Sequence, residues 1–265
     1  MTELPGILLT FIFWISFFSL FHTYFLYKHI LRILAFFFSK NWRRDTSLRP
    51  SLTIIIPAYN EEKVIRRKLE NCLALDYPPH KLEIILGSDA SDDKTVEIAR
   101  EFKTVKVHDF RERSGKTGII NKVMRHASGE IVVLTDANTM FNKDAVKQIV
   151  SLYADSRIGA VCGQVKAIAP DSRRELEKEV FYREFESSLK LLEGRLGCTV
   201  GAFGGFYSLR RALYEPLPPN AYSNDDFITA MRVLEKNYAV VFDPMAISTE
   251  ETGAGIGEEF KRRIR

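Results

Sequence analysis

Cysteine is scarce in this chain of 265 residues, and its three cysteines form no pattern. Cys72, Cys162 and Cys198 are odd in number and far apart, and no C-x-x-C pair or histidine cluster accompanies them. A disulfide framework needs paired cysteines, and a structural zinc site needs closely spaced Cys or His ligands. The sequence therefore argues against both and indicates ordinary thiols in a reducing compartment.

Net charge is also small over most of the chain. Of the 38 basic and 34 acidic residues, residues 28–50 hold six basic ones against Asp45 alone, and residues 1–27 hold only Glu3. Residues 51–265 are left with 32 residues of each sign. A neutral body lacks the basic face by which proteins bind nucleic acid, so we expect no nucleic-acid partner.

Charged residues are absent between Leu4 and Tyr27, a stretch of 24 residues rich in Phe, Leu and Ile. About 20 such residues cross a bilayer as a helix, and a basic segment after the span indicates the cytoplasmic side. A cleaved signal peptide fits poorly, because no positive charge precedes the stretch and no small-x-small site follows it. We predict a transmembrane signal anchor at residues 1–27, a basic interfacial linker at residues 28–50 and a cytoplasmic domain from residue 51. One long buried helix of a soluble bundle is the alternative.

Beyond Pro50, apolar runs alternate with segments of helical spacing. The predicted strands are Leu52–Ile56, Leu82–Leu86, Val105–Val107 and Ile131–Leu134, and the predicted helices are Glu61–Leu75, Asp92–Phe102, Lys116–Ala127, Lys143–Tyr153, 171–195 and Asp226–Glu235. Apolar strands that alternate with helices are typical of a parallel sheet covered on both faces. Ligands of such sheets bind beyond the carboxyl ends of the strands, so the residues after each apolar run are the candidates for a site.

Polar residues follow three of these strands. Residues 57–62 come after the first strand, and by themselves they are a weak signal. Residues 88–93 come after the second strand, where a helix cap also explains them. Asp136 and Asn138 follow the fourth strand, on the same side of an extended tip. A carboxylate and an amide in this arrangement suit a hard cation or a ribose.

Six short motifs occur in a fixed order along residues 51–251. They are Pro57-Ala58-Tyr59-Asn60-Glu61-Glu62, Asp89, Gly115-Lys116 with Asn121, Asp136-Ala137-Asn138, Gly204-Gly205 and Asn224-Asp225-Asp226. In this order they are similar to the motifs of the membrane-bound family-two glycosyltransferases, which are related to cellulose, chitin and hyaluronan synthases. Each motif is weak alone, but six in the family's order make chance a poor explanation.

The resemblance implies a fold, a reaction and a location. The fold is a GT-A α/β domain, Rossmann-like with a mixed, mostly parallel sheet, preceded by the N-terminal transmembrane helix. The reaction is inverting transfer of a sugar from a nucleoside diphosphate donor, with a uridine diphosphate sugar as the expected class, to a glycan or lipid-linked acceptor. The domain would span residues 51–265 at the cytoplasmic face, among membrane lipids. We expect it to be incomplete at its C-terminus, because relatives continue into further transmembrane helices, or else to work with one anchor.

The resemblance also assigns roles to residues. The implied donor-binding residues are Pro57, Ala58, Tyr59, Glu61, Asp89, Lys116 and Asp136, with Asp89 against uracil. Asp136 and Asn138 would hold a Mg²⁺ or Mn²⁺ ion bound to the diphosphate. Asp226 would be the general base, with Asp225 as a second catalytic carboxylate. Gly204 and Gly205 would form a turn on the acceptor side.

Two departures from the family pattern keep other interpretations open. Asn138 stands where the family has an aspartate, and an amide attracts a cation less strongly than a carboxylate does. Asp225 stands where the family has a glutamate. Asp225 and Asp226 are also explained without catalysis, as carboxylates in the first turn of a helix that interact favourably with its dipole. Lys116 is also explained as a solvated lysine at a helix start. Rival functions are transfer to a polyprenyl phosphate and a non-catalytic nucleotide-sugar-binding or scaffold protein.

Overall fold

The architecture is given by a computed structural model, which describes residues 4–168, 173–218 and 224–251. The strands are β1 (Leu52–Ala58), β2 (Leu82–Asp89), β3 (Val105–Phe110), β4 (Ile131–Leu134), β5 (Thr139–Phe141), β6 (Ile158–Ile168), β7 (Tyr207–Arg210) and β8 (Ala239–Glu251). The helices are α1 (Leu4–Phe21), α2 (Tyr27–Phe38), α3 (Ile65–Leu73), α4 (Thr95–Arg100), α5 (Gly115–Met124), α6 (Ala145–Ser151), α7 (Arg173–Leu196) and α8 (Asp225–Glu235). Residues 252–265 of the predicted domain lie outside the described residues.

The described strands form one sheet in the order β3-β2-β1-β4-β7-β6-β8-β5. Strands β3, β2, β1 and β4 are parallel to one another, and β8 is parallel to β6. Strand β7 is antiparallel to both β4 and β6, and β5 is antiparallel to β8. The predicted mixed, mostly parallel sheet with helices on both faces is therefore confirmed.

The continuous apolar run of β1 is explained by burial on both faces of the sheet. Ile54 belongs to a cluster that contains Leu69 of α3, whereas Ile55 belongs to the opposite cluster, with Ile119 and Val123 of α5. All five side chains are fully buried. Burying such a side chain contributes roughly 1.5–3 kcal/mol, so a strand with two buried faces favours apolar residues at every position.

A long apolar helical segment precedes the sheet. Helices α1 and α2 are joined by a π-helical turn at His22–Leu26, and residues Gly6–Phe38 are long and apolar enough to cross a membrane. The segment does not end at Tyr27, where the predicted anchor ends, but continues as α2 and lies against α7. Leu31 and Ala35 are buried there, while Phe36 is 83% exposed.

The second half of the sheet was not predicted from the sequence. Strand β7 has only four residues, too few for a period to be visible. Strand β8 contains Pro244, and a proline inside a run argues against a strand. The structure accommodates this proline at an irregularity, where the register with β6 shifts between Gly163 and Gln164.

Candidate active site

The loops that follow β1 and β2 are joined to each other by hydrogen bonds. Asn60, with a positive φ of 55°, donates from Nδ2 to Asp92 Oδ1 at 2.6 Å and accepts the Asp92 backbone N–H at 3.0 Å. The Glu61 backbone N–H donates to Thr95 Oγ1 at 2.8 Å. These hydrogen bonds join the two loops. The predicted helix at Glu61–Leu75 is shorter in the structure, where residues 60 and 61 belong to this contact and α3 begins at Ile65. The donor-site candidates Pro57 and Ala58 are the last residues of β1, where they pair with β2.

Asp89 lies at the end of β2, and its carboxylate is held by the start of α5. It is 4% exposed; its Oδ1 accepts the Ser114 N–H at 2.7 Å, and its Oδ2 accepts the Gly115 N–H at 2.9 Å. The Arg113 Nε lies 3.2 Å from the same Oδ2, and the Arg113 guanidinium stacks 3.3 Å from the centre of the Tyr59 ring. A nucleobase that contacts Asp89 would have to share this carboxylate or displace Arg113.

Lys116 is a cation that contacts three of the other candidate residues, Asp136, Asp225 and Gly204. Its Nζ lies 2.8 Å from Asp136 Oδ1 and 3.3 Å from Asp225 Oδ1, and it donates to the Gly204 carbonyl at 3.3 Å. Burial alone would lower the pKa of Lys116, but the attraction of the two carboxylates outweighs it and raises that pKa. The motif lysine therefore carries a positive charge between the end of β4 and the start of α8.

Asp225 and Asp226 differ in surroundings although they are adjacent. Asp225 is fully buried and accepts the Tyr207 hydroxyl proton at 2.8 Å. Asp226 is partly exposed, and its Oδ1 accepts the Phe227 N–H at 2.8 Å. Burial, followed by repulsion from Asp225, raises the pKa of Asp226 from 3.8 to about 6. Burial also raises the pKa of Asp225, against the attraction of Lys116. Of the two carboxylates, Asp226 is therefore the one that is partly open to solvent, and its raised pKa lies closer to neutral pH than the ordinary value does.

The two glycines occupy different surroundings. A Cβ atom at Gly204 would lie 3.5 Å from Lys116 Nζ and 3.7 Å from Asp226 Oδ2, which are ordinary contact distances. A Cβ atom at Gly205 would lie 2.7 Å from Thr139 Oγ1, which is too close. Gly204 thus borders the space between the cation and the proposed base, and Gly205 packs against the loop between β4 and β5.

Asn138 contacts a carboxylate from β8. Its Nδ2 donates to Glu250 Oε1 at 3.1 Å, and Arg183 Nη2 pairs with Glu250 Oε2 at 3.1 Å. The amide donates through its nitrogen, so its oxygen is directed elsewhere. Together with Asp136 it offers the hard oxygen donors that Mg²⁺ and Mn²⁺ prefer.

The candidate cation site is not a complete protein cage. Among residues 4–168, 173–218 and 224–251, no group of three or more His, Cys, Asp or Glu side chains is placed to hold a metal ion. Mg²⁺ commonly takes one or two carboxylates and completes its shell with phosphate and water oxygens. The residues present therefore fit a cation that arrives with a diphosphate.

Asn121, the last residue of the lysine motif, has a structural position. It donates from Nδ2 to the Leu217 carbonyl at 2.9 Å, and its Oδ1 accepts the Leu217 N–H at 2.7 Å. The Tyr214 hydroxyl also donates to Oδ1, at 2.6 Å. These bonds fix residues 214–217, the segment that leads toward α8.

Sequence reasoning missed three residues that contact the candidates. Arg113 precedes Gly115-Lys116 by two residues, so its nearness to that motif was an available signal. Tyr207 and Glu250 gave no such signal, because they reach Asp225 and Asn138 across the sheet. Their separations along the chain are 18 and 112 residues.

Comparisons with known proteins concern the family and the fold of the chain. A family model described as glycosyl transferase family 2 matches residues 53–216. The chain is 29% identical over 224 residues to a probable glycosyltransferase, YdaM, of Bacillus subtilis, which covers 79% of this chain and 53% of that protein. It is 24% identical over 253 residues to a poly-beta-1,6-N-acetyl-D-glucosamine synthase of Staphylococcus aureus, which covers 89% of this chain and 60% of that protein. The chain thus spans little more than half the length of these relatives.

Solved structures show the same fold. The mannosyltransferase PcManGT of Pyrobaculum calidifontis, in complex with GDP-Man and Mn²⁺, matches with a TM-score of 0.77 and 26% identity, over 93% of this chain and 71% of that one. S. aureus TarS in complex with UDP-GlcNAc matches with a TM-score of 0.60 and 20% identity, over 77% of this chain and 59% of that one. The second match bears on the fold alone. Both of these structures contain a nucleotide sugar.

Proposed function

Because the chain belongs to glycosyl transferase family 2, we propose that it transfers a sugar from a nucleoside diphosphate donor to an acceptor hydroxyl, with inversion at the anomeric carbon. The observation that carries the proposal is the cluster of Lys116, Asp136, Asp225 and Asp226, whose residues lie at the start of α5, after β4 and at the start of α8. Lys116 lies between Asp136 and Asp225, and the proposed base Asp226 lies across Gly204 from it. This arrangement offers both a cation for a departing diphosphate and a carboxylate for an acceptor proton.

The proposed reaction is a direct displacement. The acceptor oxygen forms a bond to the anomeric carbon, and the bond from that carbon to the diphosphate oxygen breaks with its electron pair. Asp226 takes the proton of the acceptor hydroxyl, which its pKa of about 6 permits because the carboxylate is mostly ionised at neutral pH. Lys116 stabilises negative charge on the departing diphosphate, since it is already held as a cation facing the site.

The donor we propose is a uridine diphosphate sugar. Asp89 and the aromatic face of Tyr59 lie together at the end of the neighbouring strands, around Arg113. A carboxylate accepts a hydrogen bond from the imide N–H of uracil, but it also accepts the N–H groups of guanine. The neighbouring structures contain UDP-GlcNAc and GDP-Man, so GDP is the competitor to be tested.

A divalent cation belongs to the proposed site. Asp136 and Asn138 would hold Mg²⁺ or Mn²⁺, which would neutralise charge on the diphosphate when bound. The structure of PcManGT, which has the same fold, contains Mn²⁺. Within the described part of this chain, Asp136 and Asn138 follow β4 at the place expected for such ligands.

The acceptor is proposed to be a glycan or a lipid-linked sugar at the cytoplasmic face of a membrane. The segment Gly6–Phe38 supports this location by its length and composition, and the basic residues between positions 28 and 50 support a cytoplasmic domain. The name of the staphylococcal relative supports a polysaccharide product. A polyprenyl phosphate is the alternative acceptor.

The test is a calorimetric titration of the full chain, extracted with its apolar helix, with UDP and with GDP in the presence and absence of Mn²⁺. We expect UDP binding that needs Mn²⁺ and is lost in Asp136→Ala, whereas Asp144→Ala, which removes an exposed carboxylate, should bind like the wild type. Tighter binding of GDP would replace the uridine assignment. Turnover of a bound UDP-sugar should disappear in Asp226→Asn, and binding without any turnover in the wild type would favour the nucleotide-sugar-binding scaffold.

A further inference from the structure

Lys68 is an unusual residue in α3, because its side chain is completely buried. An ammonium group that leaves water without compensation is strongly destabilising, and lysine is rarely buried unless it is paired. Burial lowers the pKa of Lys68 to about 8, although attraction to Asp136 opposes this change. The group still carries its charge at neutral pH, so its surroundings must provide a reason for its position.

The hydrogen bonds and the ring contact of the Lys68 ammonium lie on one short stretch of chain, residues 135–141. Its Nζ donates to Thr135 Oγ1 at 2.9 Å and to the Thr139 carbonyl, and it lies 3.9 Å from the centre of the Phe141 ring. Two hydrogen bonds and an aromatic face satisfy an ammonium reasonably well. Lys68 therefore connects α3 to both ends of the loop that joins β4 to β5.

A second buried lysine has a different environment. Lys190 is 6% exposed, and it pairs with the carboxylate of Glu186 at 2.9 Å. No ion pair found among the described residues includes Lys68, so its partners are a hydroxyl and a carbonyl of this loop. Replacing a buried charge by an apolar side chain of similar volume is often neutral or stabilising. An apolar side chain would therefore fill this space at least as stably as lysine does. What lysine adds at position 68 is its hydrogen bonds to the loop.

The connected loop carries the proposed donor and cation ligands. Asp136 and Asn138 lie between the two residues to which Lys68 donates hydrogen bonds, Thr135 and Thr139. Gly205 approaches the side chain of Thr139 so closely that a methyl group would not fit. The loop is therefore contacted by Lys68 through Thr135 and Thr139, and by Gly205 through Thr139.

We propose that Lys68 is a positioning residue for the nucleotide and its cation, because it fixes residues 135–139 and thereby sets the places of Asp136 and Asn138. The identity of the ligand rests on the proposed function. The statement that Lys68 fixes the loop rests only on the contacts of Lys68. Lys68 touches neither the donor nor the cation, and it acts through Thr135 and Thr139.

The test compares Lys68→Met, which keeps length and volume but removes charge and donors, with the wild type. We expect UDP to bind at least about tenfold more weakly at a fixed low Mn²⁺ concentration, with affinity recovered at high Mn²⁺. The donor KM should rise more than kcat falls. Hydrogen exchange without any ligand should become faster at the amides of residues 135–139 and stay unchanged in β2. Unchanged affinity together with unchanged exchange would overturn the proposal.

Two further variants separate this effect from general damage. Arg210→Met removes another largely buried cation, which bonds to the backbone carbonyls of Tyr153, Asp155 and Ile158 and pairs with Glu130, away from this loop, and it should leave UDP binding and loop exchange unchanged. Thr135→Val keeps the ammonium but removes one of its partners, so it should shift both readouts in the direction of Lys68→Met by a smaller amount. This variant decides the question if Lys68→Met does not fold. If the wild type binds no nucleotide, the proposed function fails, and the exchange data still decide whether Lys68 holds the loop.

Discussion

Asparagine in place of Asp225 should move the acid limb of the pH profile, because Asp225 contributes to the raised pKa of Asp226. Asp225 is fully buried beside Asp226, and its repulsion is the second largest cause of the rise, after burial. A general base must be ionised to accept a proton, so activity is lost as pH falls through the pKa of Asp226. Removing the neighbouring negative charge lowers this pKa and extends activity to lower pH.

The size of the effect follows from the pKa of about 6. Near pH 5 only about one-tenth of such a carboxylate is ionised, whereas about nine-tenths would be ionised at the ordinary value of 3.8. Asp226 stays buried in Asp225→Asn, so we expect the pKa of Asp226 in this variant to lie between 3.8 and about 6. The ratio of kcat/KM near pH 5 to kcat/KM near pH 8 should therefore rise severalfold above the wild-type value of about one-tenth. The plateau itself should fall, because Lys116 loses a charged partner.

The assay is kcat/KM for sugar transfer between about pH 4.5 and 8.5, at saturating cation. Asp243→Asn is the matched control, because Asp243 is also a buried carboxylate, paired with Arg44 at 2.8 Å, and it lies outside the cluster. In this control variant the acid limb of the pH profile should lie at the same pH as in the wild type. A wild-type profile that is flat down to pH 5, or a limb in Asp225→Asn at the wild-type position, would refute the assignment of Asp226 as the base with this pKa.

Two further predictions concern the packing around the cluster. Gly205→Ala should lose about 1–3 kcal/mol of unfolding free energy, measured with urea, because its methyl group would lie 2.7 Å from Thr139 Oγ1. Gly204→Ala, whose methyl group meets only ordinary contacts, should keep the stability but lose kcat/KM; equal stability losses in both variants would contradict this difference. Tyr207→Phe should cost about 1–3 kcal/mol, because it removes the hydrogen bond to the buried Asp225. In combination with Asp225→Ala, which removes the acceptor, this loss should be largely absent, and strict additivity would count against the contact.

The first half of the fold was predictable because its signals are local. Strands such as Leu52–Ala58 are apolar at nearly every position, and burial on both faces produces this pattern without reference to distant residues. The positions of Asp136 and Lys116 at the carboxyl edge of the sheet were predictable as well, since Asp136 follows β4 and Lys116 lies at the start of α5, whereas their roles came from the family resemblance and stay predictions. Their contact at 2.8 Å follows from the parallel topology.

The rest depends on contacts that no local pattern encodes. Lys68 has the sequence appearance of a surface residue on an amphipathic helix, and only its contact with the Thr139 carbonyl, 71 residues away, makes it an internal anchor. Asp89 matched its motif, but its saturation by Arg113 and the first amides of α5 is visible only in three dimensions. The predicted uracil contact therefore remains a prediction, with a stated competitor for the carboxylate.

Asn138 is best explained by its neighbour on β8. From the sequence, an amide in place of an aspartate suggested a weaker attraction for a cation. In the structure the amide nitrogen donates to Glu250 at 3.1 Å, and Glu250 also pairs with Arg183. An aspartate at position 138 would place two carboxylates against each other, and like charges at this distance disfavour the ionised state of both. Asparagine removes this repulsion while keeping one oxygen on the loop, so a negative charge beside the proposed cation site is retained on Glu250, a residue 112 positions away in the sequence.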